Sequence, residues 1–378
     1  MDSDVQNHVG ERRFSGFIPV DVVWNILSRL PAKSVVRFRS VSKLWSSLTT
    51  NPYFINSFPA LPSASSPCVL IIFQTGKKIF VFSFPQHQNL IDPYPRVERY
   101  EVTNPYDCDL ACSHPVHGLI LFETCENVVL WNPTMRRFLP LPKPENSLRH
   151  LKVLLGYDPT ECKHKVLSFG KDAKVRVLTL GSAQESWRMI SEASPKQYFP
   201  YRGCQNGRCI NGIIYYEAYV DVSMKTVIMS FDVRFETFNL IEFPTNDPIS
   251  NPFLMMIPYE GKLGLVKSMA TGVNIWILED AENQKWSYKI VHYPPSDKEW
   301  MTLDLIGVTS GGELVYTPRI MYESFHVVYF DLKRRSIRET GIEGITRVEG
   351  IRRVEGIRFG SLNDFDVFPD HIESLLLL

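Results

Sequence analysis

Four side chains able to ligate a metal fall within ten residues: Cys108, Cys112, His114 and His117. Thiolate with imidazole is a zinc donor set, yet the spacing Cys-x₃-Cys-x-His-x₂-His is not that of a usual zinc module. The cysteines read instead as small buried residues, and His117 as packed beside the strand that Gly118 opens. Cys204 and Cys209 form a weaker pair still. No metal and no other cofactor is expected. Trp131, Trp276 and Trp286 could line a pocket, but at strand positions of a repeat they read as core. Two basic pairs, Arg136-Arg137 and Arg334-Arg335, follow similar strands. They are either solvated turns or grips for an acidic or phosphorylated partner, and Arg136 and Arg137 are the candidate substrate contacts. The sequence has no G-x-x-x-x-G-K-[ST] loop, no G-x-S-x-G elbow and no H-E-x-x-H. No catalytic residue is nominated, and the chain is read as a non-enzyme.

The scaffold for these residues has two textures. Over 378 residues, 44% are hydrophobic and 22% charged, which is globular composition. Lys plus Arg and Asp plus Glu are both 41, so no whole-surface attraction to nucleic acid or acidic lipid is expected. Seven irregularly spaced cysteines do not make a secreted disulfide framework. Residues 1–16 are polar and lack a signal-peptide core, and no apolar run approaches a membrane span. Cytoplasm or nucleus is the expected compartment.

Residues 17–58 read as three to four short helices. Val22, Val23, Ile26, Leu27 and Leu30 make one stripe that Pro31 ends. A second helix covers Lys33 to Phe38. Ser42 caps a third, and Asn51-Pro52 opens a fourth. Residues 59–67, with three prolines, are a linker. Beyond it lie short β-rich runs separated by turn residues. A Gly-led strand, an aromatic-ended strand and a third strand recur, with Gly118, Gly212, Gly261 and Gly312 spaced by 94, 49 and 51 residues. The wide first gap holds one more unit, Lys165 to Ile190. A period near 50 is kelch-like, and units that cannot bury both faces alone must stack around an axis. The expected fold is a small α head on a large all-β, kelch-like propeller of about six blades, over residues 68–341. Residues 342–378 form a tail that is expected to close the last blade; its three near-copies of one hexad read as a tandem expansion in a surface loop.

A helical unit this small cannot bury all its apolar surface, so it needs either a partner or its own β domain as cover. Residues 17–58 closely resemble an F-box: Ile18-Pro19, then Ile26-Leu27-Ser28-Arg29-Leu30-Pro31-Ala32-Lys33-Ser34, Arg37-Phe38-Arg39-Ser40-Val41-Ser42-Lys43, Trp45 and Asn51-Pro52-Tyr53-Phe54. The rest resembles the plant F-box-associated domain through His117-Gly118-Leu119-Ile120, Leu130-Trp131-Asn132-Pro133, Leu155-Gly156-Tyr157-Asp158 and Tyr329-Phe330-Asp331-Leu332. The resemblance implies a substrate-recognition subunit of an SCF-type ubiquitin ligase. Such a subunit binds a Skp-family adaptor, reaches the cullin scaffold indirectly, and holds a protein substrate whose identity the sequence does not disclose. Carried over by position, the adaptor contacts are Ile18, Pro19, Val22, Ile26, Leu27, Leu30, Pro31, Val35, Phe38 and Trp45. Trp45 can equally hold the helices together. A glycan- or small-ligand-binding propeller carrying an F-box is the alternative.

Overall fold

A computed structural model describes residues 18–58, 67–86, 97–106, 111–124, 127–143, 152–170, 174–181, 186–190, 198–200, 207–220, 226–244, 254–296, 299–319, 324–348, 351–354, 357–359 and 365–376. Cys108 and Cys204 lie outside these residues, as does most of the expected linker. Among the described residues no group of His, Cys, Asp and Glu is arranged to hold a metal ion, and no helix is long and apolar enough to cross a membrane.

Four helices come first: α1 (Val20–Leu27), α2 (Ala32–Phe38), α3 (Lys43–Thr49) and α4 (Pro52–Ser57). Their starts are local chemistry. Pro19 and Pro31 stand just ahead of α1 and α2. The Ser42 Oγ accepts the Trp45 N–H at 3.2 Å, and Asn51 Oδ1 accepts the Tyr53 N–H at 2.8 Å. Each cap satisfies a first-turn donor that has no partner inside its helix.

The remaining chain forms six antiparallel sheets arranged as the blades of a β-propeller. The second blade runs Ala111–Cys112, Ile120–Glu123, Val128–Asn132 and Arg137–Pro140. The third runs Lys152–Asp158, Lys163–Phe169, Val175–Thr179 and Arg188–Met189. The fourth is built on Ile213–Val220, which pairs both Tyr198–Pro200 and Arg208–Ile210 on one side and Thr226–Asp232 on the other. The fifth runs Met255–Tyr259, Lys262–Ser268, Gly272–Asp280 and Lys285–His292. The sixth starts at Leu303–Val308, Glu313–Pro318 and Ser324–Asp331, and it continues outward through Ser336–Val348, Ile351–Val354 and Ile357–Phe359. The hexads thus add strands to the outer edge of a blade. The first blade takes Cys68–Thr75, Lys78–Pro85 and Glu98–Thr103, and its remaining strand is Phe365–His371 from the far end of the chain. The tail therefore joins the first blade and the last within one ring.

Six apolar clusters lie one between each pair of adjacent blades. Strand Cys68–Thr75 shows why: Val69, Ile71 and Phe73 pack toward the sixth blade, while Leu70 and Ile72 pack toward the second. A strand buried on both faces reads as a continuous apolar run, which is the pattern seen here. Trp131 is fully buried between the first two blades, and Trp276 and Trp286 pack between the fourth and fifth. The tryptophans are core.

His164 and His371 are buried in this interior and His114 is half-buried, while His117 is exposed at its rim. Burial lowers His114 well below the ordinary value, His164 to about 3 and His371 to about 4. His164 Nε2 faces the Val116 carbonyl at 3.1 Å, so that nitrogen carries the proton and donates it. His117 stacks on Tyr157 at 3.7 Å between centroids. The unfolded chain takes up protons at these imidazoles near pH 6.5 while the folded chain does not. Their contribution is complete above pH 6.5 and is lost as pH falls toward 4. Burial raises Asp366 to about 6 and also raises Glu373, and both act in the opposite sense, but the imidazoles outnumber them. Urea unfolding is therefore expected to show stability falling from pH 7 to pH 4.5, by up to about 1.4 kcal/mol per pH unit for each histidine. A flat profile over that range would show that these imidazoles are solvated.

Candidate functional site

Helix α1 is apolar on two sides, and the fold uses one. Val23 and Leu27 are buried with Ala32, Val35, Phe54 and Phe58 in the core of the head. Ile18, Val22 and Ile26 recur at a spacing of four and remain 47%, 42% and 39% exposed. Residues four apart share a helix face, so Val22 and Ile26 make an apolar row on the solvent side of α1, which the exposed Ile18, just ahead of the helix, extends. Val20, on the same helix, is exposed, as are Val41 and Leu44 at the start of α3, which contacts α1. Pro19 and Pro31 are exposed at the helix entrances.

The expected contacts therefore divide. Ile18, Pro19, Val22, Ile26 and Pro31 present surface. Leu27 and Val35 are both 0% exposed, which corrects the expectation that they meet a partner: they fix the helices that carry the row. Leu30, Phe38 and Trp45 are half-buried, and the Phe38 and Trp45 rings lie 5.0 Å apart, tying α2 to α3. Val20, Val41 and Leu44 are exposed as well but are not among the expected contacts. Their signal is apolar character at positions off the packed stripe.

The head is not isolated from the ring. After Phe365–His371 the chain continues as a strap under the helices. Asn132 Nδ2 donates to the Ser374 and Leu376 carbonyls at 3.1 and 3.0 Å, and the Ser374 N–H donates to Thr134 Oγ1 at 3.2 Å. Leu375 is fully buried in the core of the head. Glu373 Oε2 accepts the Ala32 N–H at 2.7 Å, capping a helix whose preceding residue, Pro31, has no side-chain acceptor. Gly118, at φ +80°, lets the strap pass: a Cβ there would lie 2.7 Å from the Ile372 carbonyl oxygen.

Antiparallel order decides which side of the ring this is. Turns between first and second strands, and between third and fourth, emerge on one face. The remaining turns and the passages between blades emerge on the other. Gly118 and the Pro133–Arg136 turn belong to the first kind, so the head sits on that face over the first two blades. Arg136 lies in this seam, its guanidinium carbon 4.1 Å from the centroid of the Tyr100 ring. The neighbouring Arg137 adds positive charge beside Arg39. Both candidate substrate contacts thus stand next to the helices rather than on a separate face of the propeller.

Comparison with known proteins agrees with this division of the chain. A model of the F-box domain matches residues 18–57, and a model of the F-box associated beta propeller domain matches residues 68–372. F-box protein At5g18160 of Arabidopsis thaliana is 44% identical over 375 residues, covering 98% of this chain and 93% of that protein. Putative F-box proteins At1g47730 and At1g47790 of the same plant are each 40% identical, covering 96% and 95% of this chain and 95% and 94% of theirs.

Proposed function

The chain belongs to the plant F-box proteins that carry an F-box associated β-propeller, and on that premise we propose that it is the substrate-recognition subunit of an SCF-type ubiquitin ligase. In this role the head binds a Skp-type adaptor, which links it to the cullin, and the propeller binds the protein to be ubiquitinated. The observation that carries the reading is the row Ile18, Val22 and Ile26. It stays in solvent although the core of the head is already closed by the helices and Leu375. Apolar anchors presented at helical spacing suit a partner groove.

The chain forms and breaks no bond in this reading. It holds a target near a separately loaded ubiquitin donor, raising effective concentration. With the head over the turns of one face, the target surface is assigned to the opposite face, where the chain passes from blade to blade at Asn104, Leu141, Glu242 and Tyr293. Longer passages there offer more variable binding surface than tight turns do. The work belongs to cytoplasm or nucleus. Size-exclusion chromatography of the purified chain with a purified Skp-type adaptor tests the proposal. A one-to-one complex that recruits cullin is expected, and separate elution at micromolar concentration would overturn it.

A further inference from the structure

The seam between head and ring holds an open cleft of about 300 Å³. That lies at the lower end of the range for small-molecule sites. Its charged walls are unequally engaged. Lys33 Nζ lies 3.0 Å from the Glu98 carboxylate, and Glu373 already accepts the Ala32 N–H. Two guanidiniums in the lining have no such acceptor among the described residues: Arg37, on α2 of the head, and Arg136, on the second blade. Stacked on Tyr100, the Arg136 guanidinium keeps its in-plane N–H edge available for a carboxylate or phosphate.

The rest of the polar wall is uncharged. His371 is 4% exposed, and its buried Nδ1 has no hydrogen-bond partner. Buried polar atoms are normally paired, but this one is sealed from the cavity space, and His371 contributes an uncharged part of the wall. Burial pushes the Cys68 thiol up to about 12, so it adds no negative charge. Tyr100 is likewise held neutral, and its hydroxyl donates to the Pro133 carbonyl at 2.8 Å. Val36, Leu70 and Met135 give the space an apolar side.

We propose that this seam cavity binds a small organic acid, with its anionic head between Arg37 and Arg136 and its apolar body against Val36, Leu70 and Met135. One arginine belongs to the head and the other to the ring. The bound acid therefore bridges the two parts and stiffens the seam. The site stands apart from the adaptor-binding row, so it is tested without an adaptor present.

The probes are 2-naphthoate, 2-naphthyl phosphate, neutral 2-naphthol and inorganic phosphate. The readout is the Met135 methyl resonance in methionine-labelled protein, assigned with Met135→Leu. One of the two naphthyl anions is expected to shift that resonance saturably, and which one does so identifies the head group. Arg37→Gln and Arg136→Gln, both at exposed positions, should each weaken binding about tenfold. Arg334→Gln, in the equivalent turn of the sixth blade, should leave it unchanged. Three results would overturn the site: no saturable shift with either anion, equal binding of 2-naphthol, or binding untouched by both arginine changes. Inorganic phosphate binding as tightly as the naphthyl anions would overturn the role of the apolar wall. Adaptor capture measured on the same variants keeps this outcome separate from that of the proposed function.

Discussion

Replacing Val22 and Ile26 together by aspartate is expected to lower adaptor affinity about a thousandfold, with the head still folded. Both side chains stand in the solvent-facing row, so charge there costs the monomer little. In a complex each would lie in an apolar groove. Central apolar anchors cost about 2 kcal/mol or more when truncated, and two of them reach the stated loss before any carboxylate is desolvated. Leu27→Asp is the matched contrast. Leu27 is one residue further along the same helix and 0% exposed. A carboxylate there enters a core without a counter-charge, at a cost of about 3–5 kcal/mol, and a head of this size has little stability to spare. Both variants lose the adaptor, but only Leu27→Asp should lose amide protection in α1 to α4. Calorimetry and hydrogen exchange on the two proteins separate surface from core. Adaptor affinity within tenfold of wild type in the double variant would remove the row as the docking face.

Ile26 and Leu27 also show where the sequence stops being informative. They are adjacent, equally apolar and both compatible with one stripe. Local spacing says that α1 is amphipathic but not which side the rest of the chain covers. That choice is made by Phe54 and Phe58 from α4 and by Leu375 from the far end of the chain, contacts no periodicity encodes. The features that were legible are those fixed within a few residues. Ser42 and Asn51 cap the helices they stand before, and the Gly-led turns mark strand pairs at a period near 50. The unit from Lys165 to Ile190 falls in the third blade, as the spacing requires. The tail was not legible in this way. It reads as closing the last blade and its hexads as a surface loop, whereas Phe365–His371 completes the first blade and the hexads add strands to the sixth. Closing the ring with Phe365–His371 and plugging the head with Leu375 are long-range pairings, visible only once both partners are in place.

Leu375→Ala is expected to free the head from the ring while leaving the propeller intact. The side chain is the tail's apolar contribution to a core otherwise made by α1, α2 and α4. Removing a fully buried leucine side chain costs about 2–5 kcal/mol when the site cannot collapse, and here the missing volume lies at a junction between two parts. The cost falls on the smaller part. Amide exchange in α1 to α4 should accelerate by two orders of magnitude or more, while strands such as Leu303–Val308 and Glu313–Pro318 keep their protection. Gly118→Ala approaches the same joint from the other side. Its added Cβ would sit 2.7 Å from both the Ile372 carbonyl oxygen and the Ser374 Cβ, on a backbone at φ +80° that alanine resists. The strap must then lift from the second blade, giving up the Asn132 and Thr134 hydrogen bonds. An adaptor that binds only the folded head should restore protection in Leu375→Ala by mass action, at the expense of apparent affinity. It should restore nothing in a variant that lacks the docking row. Unchanged helix exchange in both Leu375→Ala and Gly118→Ala would mean that the head is held by contacts other than the strap.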